Sequence, residues 1–322
     1  MPDRSARSGN SLSGSGEHMR NLSPLRFLAS SRLLASALAV TVVASLSLSV
    51  TSAGPAAGRG TSDPTSVGSH AAARPAVLNV HITVKKHLIT RSKTGFRPGN
   101  TLFHLTSSNG GRAAVQLARF RAGYSFRQFR KDANSFDIEA IRRIDRKVVF
   151  YGGMPVSQRQ SSHIGMRLKA GRYFIFDFDG SRWTTLRVEG ARQRRPLPQA
   201  DGSVDMVMRR GEHRFRTPRH LPHAGWMEQT NLTDEPHFMD MIHVRRSTTR
   251  EQVRRAFAGQ GPEDPGWLLR EYPGTFVVSP GHTVVWRYSY PRGKYLEVCF
   301  WPSDENGMPH AQMGMWDFVT LH

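Results

Sequence analysis

The sequence predicts an all-β protein made of two antiparallel β-sandwiches in tandem, each with a short helical insertion. Three observations predict it. Segments of alternating apolar and polar residues, rich in β-branched and aromatic side chains, recur through residues 78–321. Pro/Gly and Arg/Gly pairs punctuate them as turns. Short motifs also return in the same order at an offset near 122 residues.

The elements follow in chain order. Residues 1–32 are polar and basic, and Arg20, Arg26 and Arg32 lead into the apolar run LLASALAVTVVASLSLSV (33–50) and the small-residue site Thr51-Ser52-Ala53. A basic start, an apolar middle and a small-residue cleavage site describe an export signal. Residues 1–53 are therefore expected to be a signal with an N-terminal extension, translation being able to start at Met19. The rival reading is an uncleaved anchor, since eighteen apolar residues approach the lower limit for a span; the Ala/Ser content favours cleavage. Residues 54–76 are Gly, Ala, Ser and Pro without periodicity, a flexible tether that cannot bury a core. Beyond Val77 no segment is long and apolar enough to span a bilayer, so the mature chain is expected to be secreted or extracytoplasmic, with no transmembrane span.

Strands are expected at 78–89, 146–152, 173–178 and 184–190, and again at 274–280, 282–290, 295–301 and 316–321. One helix is expected in each unit; in the second, TTREQVRRAFAG has a Thr cap and a Gly stop. The repeat rests on four anchors: Asn109 with Asn231, Arg127-Gln-Phe with Glu251-Gln-Val, Tyr151-Gly-Gly with Tyr272-Pro-Gly, and GRYFIFDFD (171–179) with GKYLEVCFW (293–301). Two copies of one unit are expected, 77–190 and 212–322, joined by a linker at 191–211.

Net charge is +20, and the five Arg and two acids of the first 53 residues leave about +17 beyond them. The basic clusters RQFRK (127–131), IRRIDRK (141–147), RQRR (192–195) and RRGEHRFR (209–216) are scattered and lack the aromatic interleaving of a nucleic-acid reader. No nucleic-acid partner is expected; the charge suits a solvated surface near an anionic envelope polymer. HExxH, CxxC, P-loop and GxSxG motifs are absent, and DFDGS (177–181) has too few acids for a calcium loop. Asn231-Leu-Thr is formally a glycosylation sequon.

The chemistry-bearing stretch is VCFWPSDENGMPHAQMGMW (298–316), with the single cysteine, Cys299, then His310, Met313 and Met315. Singly, each is more often a packing residue than a ligand. The repeat weighs against that reading, because Cys299 aligns with Asp177 and His237 with Val115, and the first unit lacks the DENGMPHAQMGM loop.

These residues resemble the cupredoxins, the blue copper proteins. Asn231-Leu-Thr-Asp-Glu-Pro236-His237 is similar to their Asn followed by a Pro-preceded His, and His310-Ala-Gln-Met-Gly314-Met315 resembles a plastocyanin ending. The resemblance implies a Greek-key sandwich with a degenerate N-terminal copy, and one copper ion held by His237, Cys299, His310 and an axial Met315, with Met313 as a second axial candidate. Two imidazoles, a thiolate and a weak thioether suit both copper oxidation states. The implied function is electron transfer or copper binding with a redox partner protein, and no enzyme activity. The competing expectation is a metal-free binding or structural module of the envelope. One departure bears on the choice: ten residues separate Cys299 from His310, where the family has two to four. If PSDENG loops out, His237 Nδ1, Cys299 Sγ and His310 Nδ1 are expected within about 4 Å of a common point; a Cys299–His310 gap above about 8 Å favours the metal-free reading.

Overall fold

Alternating burial organises the strands, as period-two side chains require. In the C-terminal half, Val284 and Trp286 of one strand are buried while Thr283 and Arg287 face out. The computed structural model describes residues 78–322 apart from 86–88, 93–94, 109–112, 136, 158–160, 179–180 and 263–264. The expected export signal, the tether and Asn109 lie outside the described residues.

The N-terminal half starts with β1 (Leu78–Val84), β2 (Ile89–Arg91), β3 (Gly95–Phe96), β4 (Gly99–Ser107) and β5 (Ala113–Phe120). Helices α1 (Phe126–Ser135) and α2 (Ile138–Lys147) lead to β6 (Val148–Val156), β7 (Ser162–Leu168), β8 (Gly171–Asp177) and β9 (Trp183–Val188). The C-terminal half starts with β10 (Gly202–Arg209), β11 (Glu212–Arg216), β12 (His220–Leu221), β13 (Ala224–Asn231) and β14 (His237–Val244). Helix α3 (Arg250–Phe257) leads to β15 (Leu268–Val278), β16 (Thr283–Ser289), β17 (Gly293–Val298) and β18 (Trp316–Leu321).

Two sheets run through both halves. One has the order β11-β10-β13-β16-β7-β4-β1-β2, the other β12-β18-β17-β14-β15-β6-β5-β8-β9-β3. Each order reads the same way outward from its centre: β7 and β16 are the inner pair of the first, β6 and β15 of the second. One apolar core, with Ile82 and Trp286 from the first sheet and Phe150 and Tyr295 from the second, fills the space between them. At the seam, Val284–Met166, Val285–Gly165 and Trp286–Ile164 pair on one sheet and Val278–Tyr151 on the other. Buried groups add to it. Phe150 N–H donates to Ser279 Oγ (2.9 Å), Ser279 N–H to the Phe150 carbonyl (3.0 Å), and Gln116 Nε2 to the Val277 carbonyl (3.1 Å).

Three sequence expectations change. The sheets are mixed, because β1 runs parallel to β4 and β10 parallel to β13. In each half the chain leaves for the opposite sheet at β3 or β12 before returning, and that crossover reverses its direction. Among its described residues the N-terminal half has two helices where one was expected. IRRIDRK reads as a charge run, yet Ile141 and Ile144 are buried three residues apart and Asp137 caps the helix by accepting from Ala140 N–H. Arg146 and Lys147, expected in a strand, end this helix. The expected linker at 191–211 contains β10, and its first part packs against β4 and β7. Gln193 N–H donates to the Pro98 carbonyl (2.8 Å), Asn100 Nδ2 donates to the Arg195 carbonyl (2.6 Å), and Leu197 lies against Gly165.

The helix expected in the second unit forms as α3. Thr249 accepts from Gln252 N–H, and the Gln252 side chain accepts from Thr249 N–H, a reciprocal capping box.

Candidate metal centre

The loop before β14 is fixed by one side chain. Asn231 is fully buried; its Nδ2 donates to the carbonyls of Glu235 and Val278 (both 2.8 Å), and its Oδ1 accepts from Thr233 N–H (2.9 Å) and Thr233 Oγ1 (2.8 Å). With every polar atom engaged and no exposure, Asn231 serves as a knot. It delivers His237 to the start of β14 at the edge of the core.

Cys299 follows the last residue of β17, and its N–H donates to the Met315 carbonyl (3.2 Å). The ten residues between Cys299 and His310 fold back on themselves. Pro302 and Pro309 form an antiparallel bridge, Ser303 N–H donates to the Met308 carbonyl (2.9 Å), and His310 N–H donates to the Trp301 carbonyl (2.9 Å). The excursion is a closed hairpin at 302–309, and only Phe300 and Trp301 separate Cys299 from its base. Met315 N–H then donates to the His310 carbonyl (2.8 Å), which closes the turn to β18.

The result is a convergence of three atoms. His237 Nδ1 and His310 Nδ1 are 3.0 Å apart, Cys299 Sγ is 3.7 Å from the first and 3.8 Å from the second, and all three residues are fully buried. An ion in a trigonal plane, about 2.0–2.1 Å from nitrogen and about 2.3 Å from sulfur, needs N···N near ~3.6 Å and N···S near ~3.8 Å. Both N···S distances match such an ion, and the two rings would have to part by about 0.6 Å to admit it. Met315 is fully buried in the same core as Cys299, whereas Met313 is 36% exposed.

Protonation suits the fit. Burial holds His237 well below its ordinary value, with the neighbouring imidazoles adding to the effect, so the ring is neutral. His237 Nε2 has no hydrogen-bond partner among the described residues. Burial also pulls His310 down, opposed by Glu235. Glu235 Oε2 lies 3.1 Å from His310 Nε2; with the Nε2 proton directed there, Nδ1 is left as the lone-pair donor facing Cys299. Burial pushes Glu235 up, but the hydrogen bond and charge of His310 outweigh it and hold the carboxylate low. Burial pushes the Cys299 thiol up to about 12, against backbone N–H groups of Phe238 and Trp301 that favour the thiolate. An ion has to displace that proton.

Sequence reasoning missed two members. His213 of β11 sits with its ring centroid 4.7 Å from His237 and 4.8 Å from His310, and its Nε2 is 3.1 Å from Asp234 Oδ1. His213, His237 and His310 offer ring nitrogens within 4.8 Å of one another, a set that could hold a metal ion. His213 belongs to the cluster RRGEHRFR, where Arg content masked it. Glu235, inside the quoted motif, also anchors the hairpin by accepting from Ser303 Oγ (3.2 Å) and Asp304 N–H (3.1 Å).

Helix α2 braces the hairpin from the N-terminal half. Arg142 Nε donates to the Asp304 carbonyl (2.8 Å) and Nη2 to the Glu305 carbonyl (3.1 Å). Asp145 is pushed up to about 8 from 3.8 by burial, then by the charges of Glu235 and Asp304, with the nearby Trp301 indole opposing. A carboxyl raised in the folded state favours folding while protonated, so its contribution falls as pH rises from about 4 through about 8. Asp145→Asn, neutral throughout, is therefore expected to match the wild type below about pH 4. It should melt progressively higher than wild type up to about pH 9, by as much as several kcal/mol. Equal thermal midpoints across that range would contradict the assignment.

The position of Cys299 has a counterpart in the other half. Gly153 lies over the Val115 carbonyl and Gly274 over the Met239 carbonyl, where a Cβ at either would strike the backbone. Val115 thus corresponds to Met239, and Ala113, first in β5, to His237, first in β14. The sequence alignment of His237 with Val115 is off by two residues, because the Asn231–His237 stretch is two residues longer than Asn109–Ala113. Asp177, aligned with Cys299, pairs with Val115 in the sheet; it forms an ion pair with Arg182 and accepts from Ala114 N–H (2.9 Å).

No protein-family model matches the chain, and neither does any curated protein sequence. Solved structures do. A reduced auracyanin from Roseiflexus castenholzii matches with 14% identity over 38% of this chain and 99% of its own, TM-score 0.23. A multicopper oxidase from Pediococcus acidilactici matches with 9% identity over 76% of this chain and 59% of its own, TM-score 0.23. A copper-containing nitrite reductase from Thermus scotoductus SA-01 matches with 9% identity over 77% of this chain and 61% of its own, TM-score 0.22. The chain thus spans about three fifths of the length of the oxidase and the reductase. Its own architecture is two facing, mixed β-sheets. The expectation that the chain is no enzyme is withdrawn, because the structures it matches include ones named as an oxidase and a reductase. Among the described residues no helix is long and apolar enough to cross a membrane.

Proposed function

We propose that this is an exported protein of two tandem cupredoxin-like units, whose C-terminal unit holds one copper ion for electron transfer or copper binding. His237, Cys299, His310 and Met315 would hold it. The N-terminal unit is metal-free and structural. The observation that carries the reading is the mutual spacing of His237 Nδ1, Cys299 Sγ and His310 Nδ1, 3.0, 3.7 and 3.8 Å, in three fully buried residues. The matching strand orders of the two halves and the paired glycines Gly153 and Gly274 support a duplication. The Asp177–Arg182 ion pair supports a metal-free first unit, since it fills the position aligned with Cys299 with a charge already neutralised.

Copper bound here supplies a one-electron couple. The chain's part is to hold the ligands still. Asn231 fixes His237, the hairpin base fixes His310 beside Trp301, and Glu235 sets the His310 tautomer, so little reorganisation accompanies a change of oxidation state. His213 shields the cluster on its more open side, with a side chain 10% exposed where His310 has none. A redox partner protein and the anionic envelope polymer suggested by the net charge of +20 remain part of the proposal.

The test is loading with Cu(II). The full chain is expected to take up one copper and show an intense visible thiolate-to-copper absorption. A colourless protein whose Cys299 is freely alkylated would overturn the reading in favour of the metal-free module. Glu235→Ala is expected to keep the colour but weaken copper binding about 10–100-fold, as loss of an outer partner of a ligating histidine does. A competition titration with a copper chelator reads this out, and an unchanged affinity would remove Glu235 from the site.

A further inference from the structure

A second imidazole pair lies on the other sheet, in the N-terminal half. His104 of β4 and His163 of β7 are direct partners in the antiparallel ladder, and the parallel register of β1 with β4 puts His81 next to His104 in the same row. Phe103, Leu105 and Ile164 point into the core, so His104 and His163 lie on the outer face of the sheet. Both are half-buried. The neighbouring outer row, Leu102 with Gly165, is covered by Leu197, and Trp226 walls the pair with its ring 6.4 Å from His163.

We propose that His104 and His163 form a second, divalent transition-metal site of the zinc, nickel or copper(II) class, independent of the Cys299 centre. Their Nδ1 atoms are 2.6 Å apart, with ring centroids at 4.7 Å and planes at 82°. The same approach recurs at the buried centre, where His237 and His310 bring Nδ1 to 3.0 Å with centroids at 4.5 Å and planes at 61°. Two nitrogens bound to one ion at about 2.0–2.1 Å stand ~2.9–3.4 Å apart, so a few tenths of an ångström of ring movement admits the ion. Directly opposed strand positions hold their Cβ atoms about 4.5–5.5 Å apart, which fixes the two rings at chelating distance. With imidazole and water as donors and no thiolate, the site favours divalent borderline ions and carries no intense visible colour. Binding needs both rings neutral and is lost in acid.

The test is calorimetric titration of the full chain with Ni(II) alone at neutral pH, on wild type, His104→Gln and His163→Gln. Wild type is expected to bind one equivalent more than either variant in the micromolar range, or to bind that equivalent at least about 10-fold more tightly. Equal stoichiometry and affinity in wild type and both variants would overturn the proposal, as would the absence of micromolar Ni(II) binding by wild type. Circular dichroism checks that each variant is folded, and either one suffices. The visible absorption on Cu(II) loading is expected to be unchanged in both. Failure of the Cys299 centre therefore shows as missing colour, and failure of this site as a missing nickel equivalent.

Discussion

Cys299→Ser is expected to abolish the visible absorption of the copper-loaded protein and to weaken copper binding by more than the ~10–100-fold that loss of an outer-sphere partner brings. The substitution changes one buried atom from sulfur to oxygen. Serine lacks the soft, polarisable donor that matches copper, and its proton is far harder to displace. The surroundings stay in place, because His237 is held through Asn231 and His310 through the hairpin, neither of which depends on Sγ. The fold is expected to survive with a loss of about 1–3 kcal/mol for burying a hydroxyl in an apolar site. Absorption spectra and a chelator competition at matched protein concentration decide the matter. Colour retained in Cys299→Ser would exclude the thiolate as a ligand.

Phe150→Ala is expected to cost about 3–5 kcal/mol and to leave a single unfolding transition rather than two. Phe150 is fully buried in β6, contacts Phe129 of α1 at 6.3 Å between ring centroids, and meets Trp301 of the opposite half at 5.6 Å. Its backbone groups bond Ser279 across the seam. Truncation therefore opens a cavity where the two halves share one core, and both feel it. Denaturant unfolding followed by tryptophan fluorescence and by far-ultraviolet circular dichroism should give coincident curves. Two separated transitions would mean that the halves fold independently.

The strands were legible because their signals are local. Alternation in HTVVWRYSY or WDFVTL needs no knowledge of neighbours, and the glycine shared by the Tyr151 and Tyr272 motifs lies over a carbonyl in both halves. Helix α2 was hidden because IRRIDRK sets its two buried isoleucines among five charged residues, so composition outweighs its period. The parallel strand pairs were hidden because direction depends on crossovers through β3 and β12, two residues each. At the candidate metal centre, the resemblance of two motifs to the blue copper proteins implied His237, Cys299, His310 and Met315. The role of the insertion was not legible, since the Pro302–Pro309 bridge and the grip of Glu235 are tertiary contacts. His213 reaches the cluster from the opposite sheet, a proximity that no spacing in the sequence encodes.

The continuous sheets have a consequence for behaviour in crowded solution. A strand with unpaired N–H and C=O groups is a template for another chain, and long flat edges invite aggregation. Joining the halves through β6, β7, β15 and β16 turns four such strands into interior ones. Among the described residues, the strands that end the two sheets are β2 (three residues), β3 and β12 (two each) and β11 (five). Edges that short offer little for a neighbouring molecule to extend, so the seam that unites the core also guards the chain against joining its own kind.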